Sequence, residues 1–501
     1  MENNKMTKNF SEYLKEFEQT LKSVFYERDD INKFSLNRGF PPLVMREIMS
    51  GSPLSVAIPE NYGGRGAKVK ECLGILSSAA YESLPLALTL GINIALFLEP
   101  VAKYANDTVK NGIFKRFLEK QQMGGLMITE PDFGSDALNM QTHYTKTDDR
   151  YHIKGTKHWQ GLTGLADFWL ITSRQKNEKG DLGRDIDFFI CDVTQKNQQV
   201  VVEEYFDNLG LYMIPYGTNK LDVQIPQEYK LEPESSGVKM MLDILHRSRM
   251  QFPGMGLGFI KRLMDEAIDQ CKTRIVGGKS LLSFDQVQHQ ISKMQSAYTI
   301  CSALCVRSSN KSGLENNLAT DGIEANSIKT VVTDLMQEAA QTLVQLSGAK
   351  GYRLSHIGGR GIVDSRPFQI FEGANEMLYT QISDMILKLM KKKKETNLFQ
   401  FLKEFNLTDK ASEYFKKEIN FSIDFDLPQR KLVDLGKALG RIVSAGFVLD
   451  LEDKGFRKDL ITNCIDSLQQ DISNLINSYH INKGVSSIEN YNEGSSWIEM
   501  A

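Results

Sequence analysis

The sequence has no charge excess, no cysteine pattern and no long greasy run, and each absence removes a class of function. Its 60 basic and 63 acidic side chains leave a formal charge of −3, which offers no electrostatic case for nucleic acid. Six cysteines (Cys72, Cys191, Cys271, Cys301, Cys305 and Cys464) are scattered without a CxxC pair. Cys301 and Cys305 would share a helix face, but no histidine stands at metal-ligand spacing beside them, so neither a metal centre nor a disulfide framework is expected. Reduced, mostly buried thiols in a cytoplasmic protein are the expectation. Residues 1–30 mix charge throughout and lack an apolar h-region, so a secretory signal is not expected. No run of 18 apolar residues exists. The most apolar stretch, 84–98, is interrupted by Pro85, Gly91 and Asn93 and reads as a buried helix or helix pair, with no transmembrane segment.

What is present suits a large folded chain. With 501 residues, 41% of them hydrophobic, there is length for roughly two to four domains with a sizeable core. Apolar residues three and four apart recur from residue 10 to about 120, as in 10–26 and 69–83, with a Pro- and Gly-broken loop at 58–66. Near Gly124 the character changes. Segments 151–159, 167–173, 186–194 and 219–225 are short, rich in β-branched and aromatic residues, and separated by turns. Helical periodicity resumes in 238–246, 257–274, 286–308 and 325–346. Helices, then strands, then helices in series imply an α+β fold, not alternating βαβ units. The expected organisation is an N-terminal helical domain (1–124), a central small antiparallel β domain (125–235), a C-terminal four-helix domain (236–390) and a helical extension with a loose tail (391–501). The run Lys391-Lys392-Lys393-Lys394 reads as a solvated hinge or, given an adjacent apolar helix face, a weak contact for an anionic surface.

Four separated segments carry candidate chemistry. In Thr129-Glu130-Pro131-Asp132-Phe133-Gly134-Ser135-Asp136, proline and glycine stop regular structure. Its N–H groups and hydroxyls can serve an ordinary turn or hydrogen-bond a flat polar ring or anion. Gly155 to Gly164 contains Trp159, whose indole can cover a large aromatic surface and exclude water. Arg249 precedes Gly254, Gly256 and Gly258, and Arg274-Ile275-Val276-Gly277-Gly278-Lys279 follows. Last come Gln345-Leu346-Ser347-Gly348-Ala349-Lys350-Gly351-Tyr352, Arg360, Asp364-Ser365-Arg366 and Ile370-Phe371-Glu372-Gly373-Ala374. Taken singly, these are also a surface ion-pair arginine, a flexible glycine loop and a helix N-cap or first-turn acid.

Together and in this order they resemble the acyl-CoA dehydrogenase family, from about residue 10 to 390. The resemblance implies FAD as cofactor, with Leu126, Thr129, Ser135, Trp159, Gly161, Gly373 and Ala374 around its ring. Arg274, Gln345, Gly348 and Ala349 are implied at its pyrophosphate and adenosine, with Arg274 reaching across a subunit boundary. Ser135, Arg249, Glu372 and Gly373 are implied at the substrate. Where the family continues the tryptophan with Ile-Thr, this chain has Gln160-Gly161, and Thr163 or a backbone N–H is the candidate substitute. Ala374 replaces a threonine, Gly277 a phenylalanine and Asp285 a glutamine.

The implied reaction is α,β-dehydrogenation of an acyl thioester to a trans-2-enoyl thioester. It needs a base for the Cα proton and an acceptor for the Cβ hydride, and only a cofactor supplies the second. Glu372 is the expected base, because the alternative position in some relatives is Ser248 here. Implied partners are an acyl-CoA or acyl carrier protein thioester, an electron-transfer flavoprotein or O₂ as acceptor, and a homodimer or homotetramer. The rival readings are an oxidase on the same fold and a subunit that binds acyl thioesters without catalysis.

Overall fold

The computed structural model describes residues 8–147, 149–481 and 484–501. The N-terminal helices include Phe10–Lys22, Pro42–Ser50, Val69–Glu82, Leu84–Asn93 and Asp107–Lys120. The apolar stretch at 84–98 belongs to a helical run, Leu84–Tyr104, that is long and apolar enough to cross a membrane. Its apolar window is 94% buried inside the protein, so it is a core element as expected. A helix that is apolar all round needs protein on every side, and here it has it.

The central unit is a seven-stranded sheet: β1 (Gly124–Met127), β2 (His143–Lys146), β3 (Arg150–His158), β4 (Phe168–Gln175), β5 (Asp187–Asp192), β6 (Val201–Tyr205) and β7 (Gly217–Pro226). The order is β1-β4-β2-β3-β7-β6, with β5 also on β4. The pairs β2–β3, β3–β7, β6–β7 and β4–β5 are antiparallel. Two pairings the local pattern does not reveal are parallel: β4 takes β1 and, at its end, β2. Strand β4 is buried almost throughout, which is why it reads as a continuous apolar run.

The four expected C-terminal helices are Gly237–Arg249, Phe252–Thr273, Asp285–Lys311 and Gly322–Ser347, followed by Asn375–Lys393. The last of these corrects one expectation. The helix continues through Lys391, Lys392 and Lys393 and is capped by Lys394 at φ +56°, so the lysine run is a solvated final turn, not a hinge. Cations there complement the negative end of the helix dipole, and Lys391 and Lys393 also lie over the Phe425 and Phe401 rings.

The extension adds Leu398–Glu404, Gln429–Leu449 and Lys458–His480. It is packed on the bundle. A Cβ at Gly436 would lie 2.1 Å from the Tyr379 carbonyl oxygen, so only glycine permits that backbone approach. Cys464 and the Lys293–Asp471 pair join Lys458–His480 to the Asp285–Lys311 helix. Residues 484–501 are exposed almost throughout. Of the six cysteines, all are free and five are buried.

Candidate active site

The Gly237–Arg249 helix ends inside the protein, and its last two residues both meet Glu372. Ser248 Oγ donates to Glu372 Oε1 at 2.9 Å. Arg249 does not pair with the carboxylate; its Nε and Nη2 donate to the Glu372 carbonyl oxygen at 3.2 and 2.7 Å. Its third nitrogen, Nη1, donates to Asn326 Oδ1 at 2.6 Å. One residue on, Lys329 Nζ donates to the Gly373 carbonyl and to Asn375 Oδ1, each at 2.8 Å. Two buried cations therefore grip two successive carbonyls. That grip holds Glu372 at φ +53° and Gly373 at φ +95°. A non-glycine residue in the left-handed region costs roughly 1–3 kcal/mol and persists only where its surroundings impose it.

The strain aims the carboxylate inward. Glu372 Oε2 is buried and has no hydrogen-bond partner among the described residues. The group faces a small pocket walled by Leu88, Ile92, Ala95, Leu96 and Met255. Burial raises the Glu372 pKa above the ordinary carboxylate value, with Arg249, Ser248 and Lys329 offsetting part of the rise. The alternative of a helix-capping acid does not hold: the next helix starts at Asn375, and the Glu372 side chain bonds Ser248 instead.

A second group forms at the sheet's edge. Glu130 is the anchor of the Thr129–Asp136 loop: its carboxylate accepts the N–H groups of Gln141 and Thr142 at 2.6 and 3.0 Å and the Lys157 ammonium at 2.9 Å. Lys157 also donates to the Ile128 carbonyl at 3.0 Å. Beyond that anchor Ser135 is exposed, while Thr129 and Leu126 are half-buried. The Thr129 carbonyl accepts from the His158 N–H at 2.9 Å and from Gln160 Nε2 at 3.2 Å, which ties this loop to the one bearing Trp159. Trp159 sits at φ +67° with its side chain against Phe206, ring centroids 4.5 Å apart, and is still 51% exposed.

Gly161 lies against the first group's cavity. A Cβ there would be 2.8 Å from Ile92 Cδ1, so Ile92, which walls the Glu372 cavity, crowds the place of the family's threonine. Thr163 is not its substitute. That side chain is fully buried, donates to the Gln160 carbonyl at 2.7 Å and accepts from Asn219 Nδ2 at 3.0 Å. The expectation for Thr163 is corrected: turn geometry commits its hydroxyl to the protein.

Arg274, Gln345, Gly348 and Ala349 form a third group, on the surface. A Cβ on Gly348, at φ +63°, would lie 3.3 Å from Arg274 Nη1. Arg274, Gln345 and Ala349 are exposed, and the adjoining hairpin leaves Ile275 63% exposed. No backbone hydrogen bond joins this group to Glu372 or Trp159 among the described residues. Sequence reasoning missed Lys329, Asn326 and Lys157. The first was detectable, as the only charged residue in the stretch from Asn326 to Thr333.

Family models for the acyl-CoA dehydrogenase N-terminal, middle and C-terminal domains match residues 12–121, 125–223 and 235–387. The chain belongs to the acyl-CoA dehydrogenase family. It is 24% identical over 353 residues to an acyl-CoA dehydrogenase of Bacillus subtilis, covering 70% of this chain and 90% of the relative. It is 26% identical over 339 residues to the short-chain-specific acyl-CoA dehydrogenase of Megasphaera elsdenii, covering 66% and 86%. Among solved structures, butyryl-CoA dehydrogenase from Megasphaera elsdenii superposes with a TM-score of 0.65 at 22% identity, covering 75% of this chain and 98% of that one. An FAD-complexed acyl-CoA dehydrogenase from Bacillus anthracis reaches 0.74 at 17% identity, covering 95% and 89%. The wider coverage shows that the fold of the C-terminal extension recurs in the second structure.

The protein is thus a flavin oxidoreductase with FAD as cofactor. Its residues suit that group. An indole held half-exposed on a strained loop is a ready wall for a planar ring, and Gly348 leaves backbone access beside the Arg274 guanidinium, a fork that matches phosphate oxygens.

Proposed function

We propose that the protein dehydrogenates an acyl thioester between Cα and Cβ, with Glu372 as the base that removes the α-proton. The observation that carries this reading is the buried, unpartnered Glu372 Oε2 facing an apolar cavity. Ser248 occupies the other oxygen, so Oε2 is the atom that takes the proton. Arg249 and Lys329 hold the backbone on which the carboxylate turns, keeping it at the cavity. Loss of water strengthens the base, because burial disfavours its charged form. Leu126, Thr129, Ser135, Trp159, Gly161, Gly373 and Ala374 would hold the cofactor ring, with Ser135, Arg249 and Gly373 also beside the substrate. FAD, when bound, supplies the hydride acceptor for Cβ that no side chain provides.

The exposed Arg274 group is separate from the ring-binding loops, and we assign it to the pyrophosphate and adenosine of a cofactor in a second copy of the chain. The assembly is then at least a homodimer. Arg274→Ala is expected to lose roughly tenfold or more in FAD affinity, since hydrogen bonds to charged groups contribute about 1.5–3 kcal/mol. Thermal unfolding of the apoprotein should not move, because the side chain is exposed. Flavin absorbance per protein after gel filtration reads the first, and a variant that keeps full FAD rejects the assignment.

Electrons leave through an electron-transfer flavoprotein in this reading. Supporting it, a relative 25% identical over 352 residues is named a subunit, CarC, of the caffeyl-CoA reductase–Etf complex of Acetobacterium woodii. O₂ is the second candidate acceptor, and an acyl carrier protein the second candidate carrier; one similar fold, at a TM-score of 0.65, is a prolyl acyl carrier protein oxidase. The buried free thiols suit a cytoplasmic setting. Anaerobic titration of the purified yellow protein with acyl-CoAs of several lengths should bleach the flavin. Protein that stays colourless after FAD addition would sink the enzyme reading.

A further inference from the structure

The cavity beside Glu372 is apolar except at its Ser248 and Gln251 edge. Gln251 stands three residues after Ser248, and its Nε2 donates to Glu99 Oε1 at 2.7 Å. Gln251 and Glu99 are each only 1% exposed. Their remaining oxygens, Gln251 Oε1 and Glu99 Oε2, have no partner among the described residues. The sequence makes this placement systematic: Leu88, Ile92, Ala95 and Glu99 follow one another at helical spacing along the run Leu84–Tyr104. The first three wall the cavity, and Glu99, one turn further on, meets it only through Gln251. Buried oxygens left without a donor are costly, and a site built this way gains most from a ligand that supplies one.

We propose that Gln251, backed by Glu99, is the specificity-determining wall of the acyl pocket, selecting acyl thioesters that carry a hydrogen-bond donor, a hydroxyl or amino group, on their distal carbon. This rests on the function proposed above and adds the class of substrate. The donor hydrogen goes to Gln251 Oε1, which Glu99 orients by accepting from the Gln251 Nε2. An alkyl chain of the same length displaces nothing useful and leaves that oxygen unpaired, which is the kind of mismatch that discriminates strongly.

The test uses isosteric pairs: 4-hydroxybutanoyl-CoA against pentanoyl-CoA, and 6-hydroxyhexanoyl-CoA against heptanoyl-CoA. Binding to the FAD-loaded Glu372→Gln protein is measured by calorimetry, so that affinity is read without turnover. The hydroxy member of at least one pair should bind about tenfold tighter or more, and Gln251→Leu or Glu99→Met should abolish that preference. The comparison within the unsubstituted pocket needs no variant to fold at these two positions. Equal binding of both members in both pairs overturns the proposal, and would mean that Glu99 and Gln251 satisfy each other through a shared proton. A preference that survives both substitutions also overturns it. Bleaching of the native enzyme separates this from failure of the underlying function: if alkyl thioesters bleach as well as hydroxy ones, only the pocket assignment falls, and if no thioester bleaches, the dehydrogenase reading falls.

Discussion

Glu372→Gln should fold, bind FAD and lose the ability to be bleached by an acyl thioester. The carboxamide fills the same space, Ser248 can still donate to its oxygen, and the two Arg249 bonds go to the backbone carbonyl, which the substitution does not touch. What disappears is the proton acceptor at Oε2. A positioned general base contributes roughly 10²–10⁴-fold, and that is the expected drop in the anaerobic rate of flavin reduction. The pH profile carries a second check. Burial raises the Glu372 pKa above its ordinary value, and the neighbouring Arg249, Ser248 and Lys329 offset the rise only in part. The base works when unprotonated, so the native rate should climb with pH through a pKa above the usual carboxylate range and fall away on the acid side. Ser248→Ala removes one of the offsetting interactions and should move that profile to higher pH. A Glu372→Gln protein that is reduced at the native rate, or a Ser248→Ala profile shifted to lower pH, would reject Glu372 as the base.

The parts of this molecule that are legible from sequence are those set by local periodicity. Helical stripes in 257–274 and 286–308 report one neighbour relation repeated many times, the β-branched and aromatic composition of 151–159 reports an extended segment, and the corresponding helices and strand are present. The parallel pairings of β4 with β1 and β2 are not legible, because they join segments far apart and leave no local period. At the site, residue types are legible but their bonding is not. Arg249 is expected near Glu372, yet it holds the main-chain carbonyl, and Lys329 completes that grip from a helix whose pattern announces only burial. Thr163 shows the same limit in reverse. Its identity suits a replacement for the threonine missing at 161, but two positive-φ residues in the loop, Trp159 and Leu162, turn the chain so that the hydroxyl points into the protein.

Glu130 illustrates how a motif residue can matter without touching the reacting atoms, and its removal should have the largest effect on stability. Its side chain and that of Lys157 are 4% and 0% exposed, so the pair is out of reach of solvent screening. Glu130→Ala would leave the Lys157 ammonium buried without its counter-charge, a loss of about 3–5 kcal/mol by comparison with broken buried pairs elsewhere. It would also orphan the Gln141 and Thr142 N–H groups. Burial already pushes the Lys157 pKa down to about 8, and loss of the Glu130 charge would lower it further. Glu130→Gln keeps an acceptor for those amides and should cost less. For Glu130 itself, burial favours the neutral form, but Lys157, Thr142 and the Gln141 N–H outweigh it and hold the pKa below the ordinary value. A carboxylate depressed in the folded state stabilises above its unfolded pKa, and that contribution is lost as pH falls through the lower folded value. The native protein should therefore lose this anchor only in acid, below the ordinary carboxylate range, whereas Glu130→Ala lacks it at every pH. Because Thr129 is the adjacent residue and its carbonyl ties the loop to Trp159, the same variant should release FAD more readily. Hydrogen exchange at the Gln141 and Thr142 amides, thermal unfolding and retained flavin together decide the matter. Native protection at those amides, with unfolding unchanged at neutral pH and at high salt, would show that Glu130 is not the anchor of this loop.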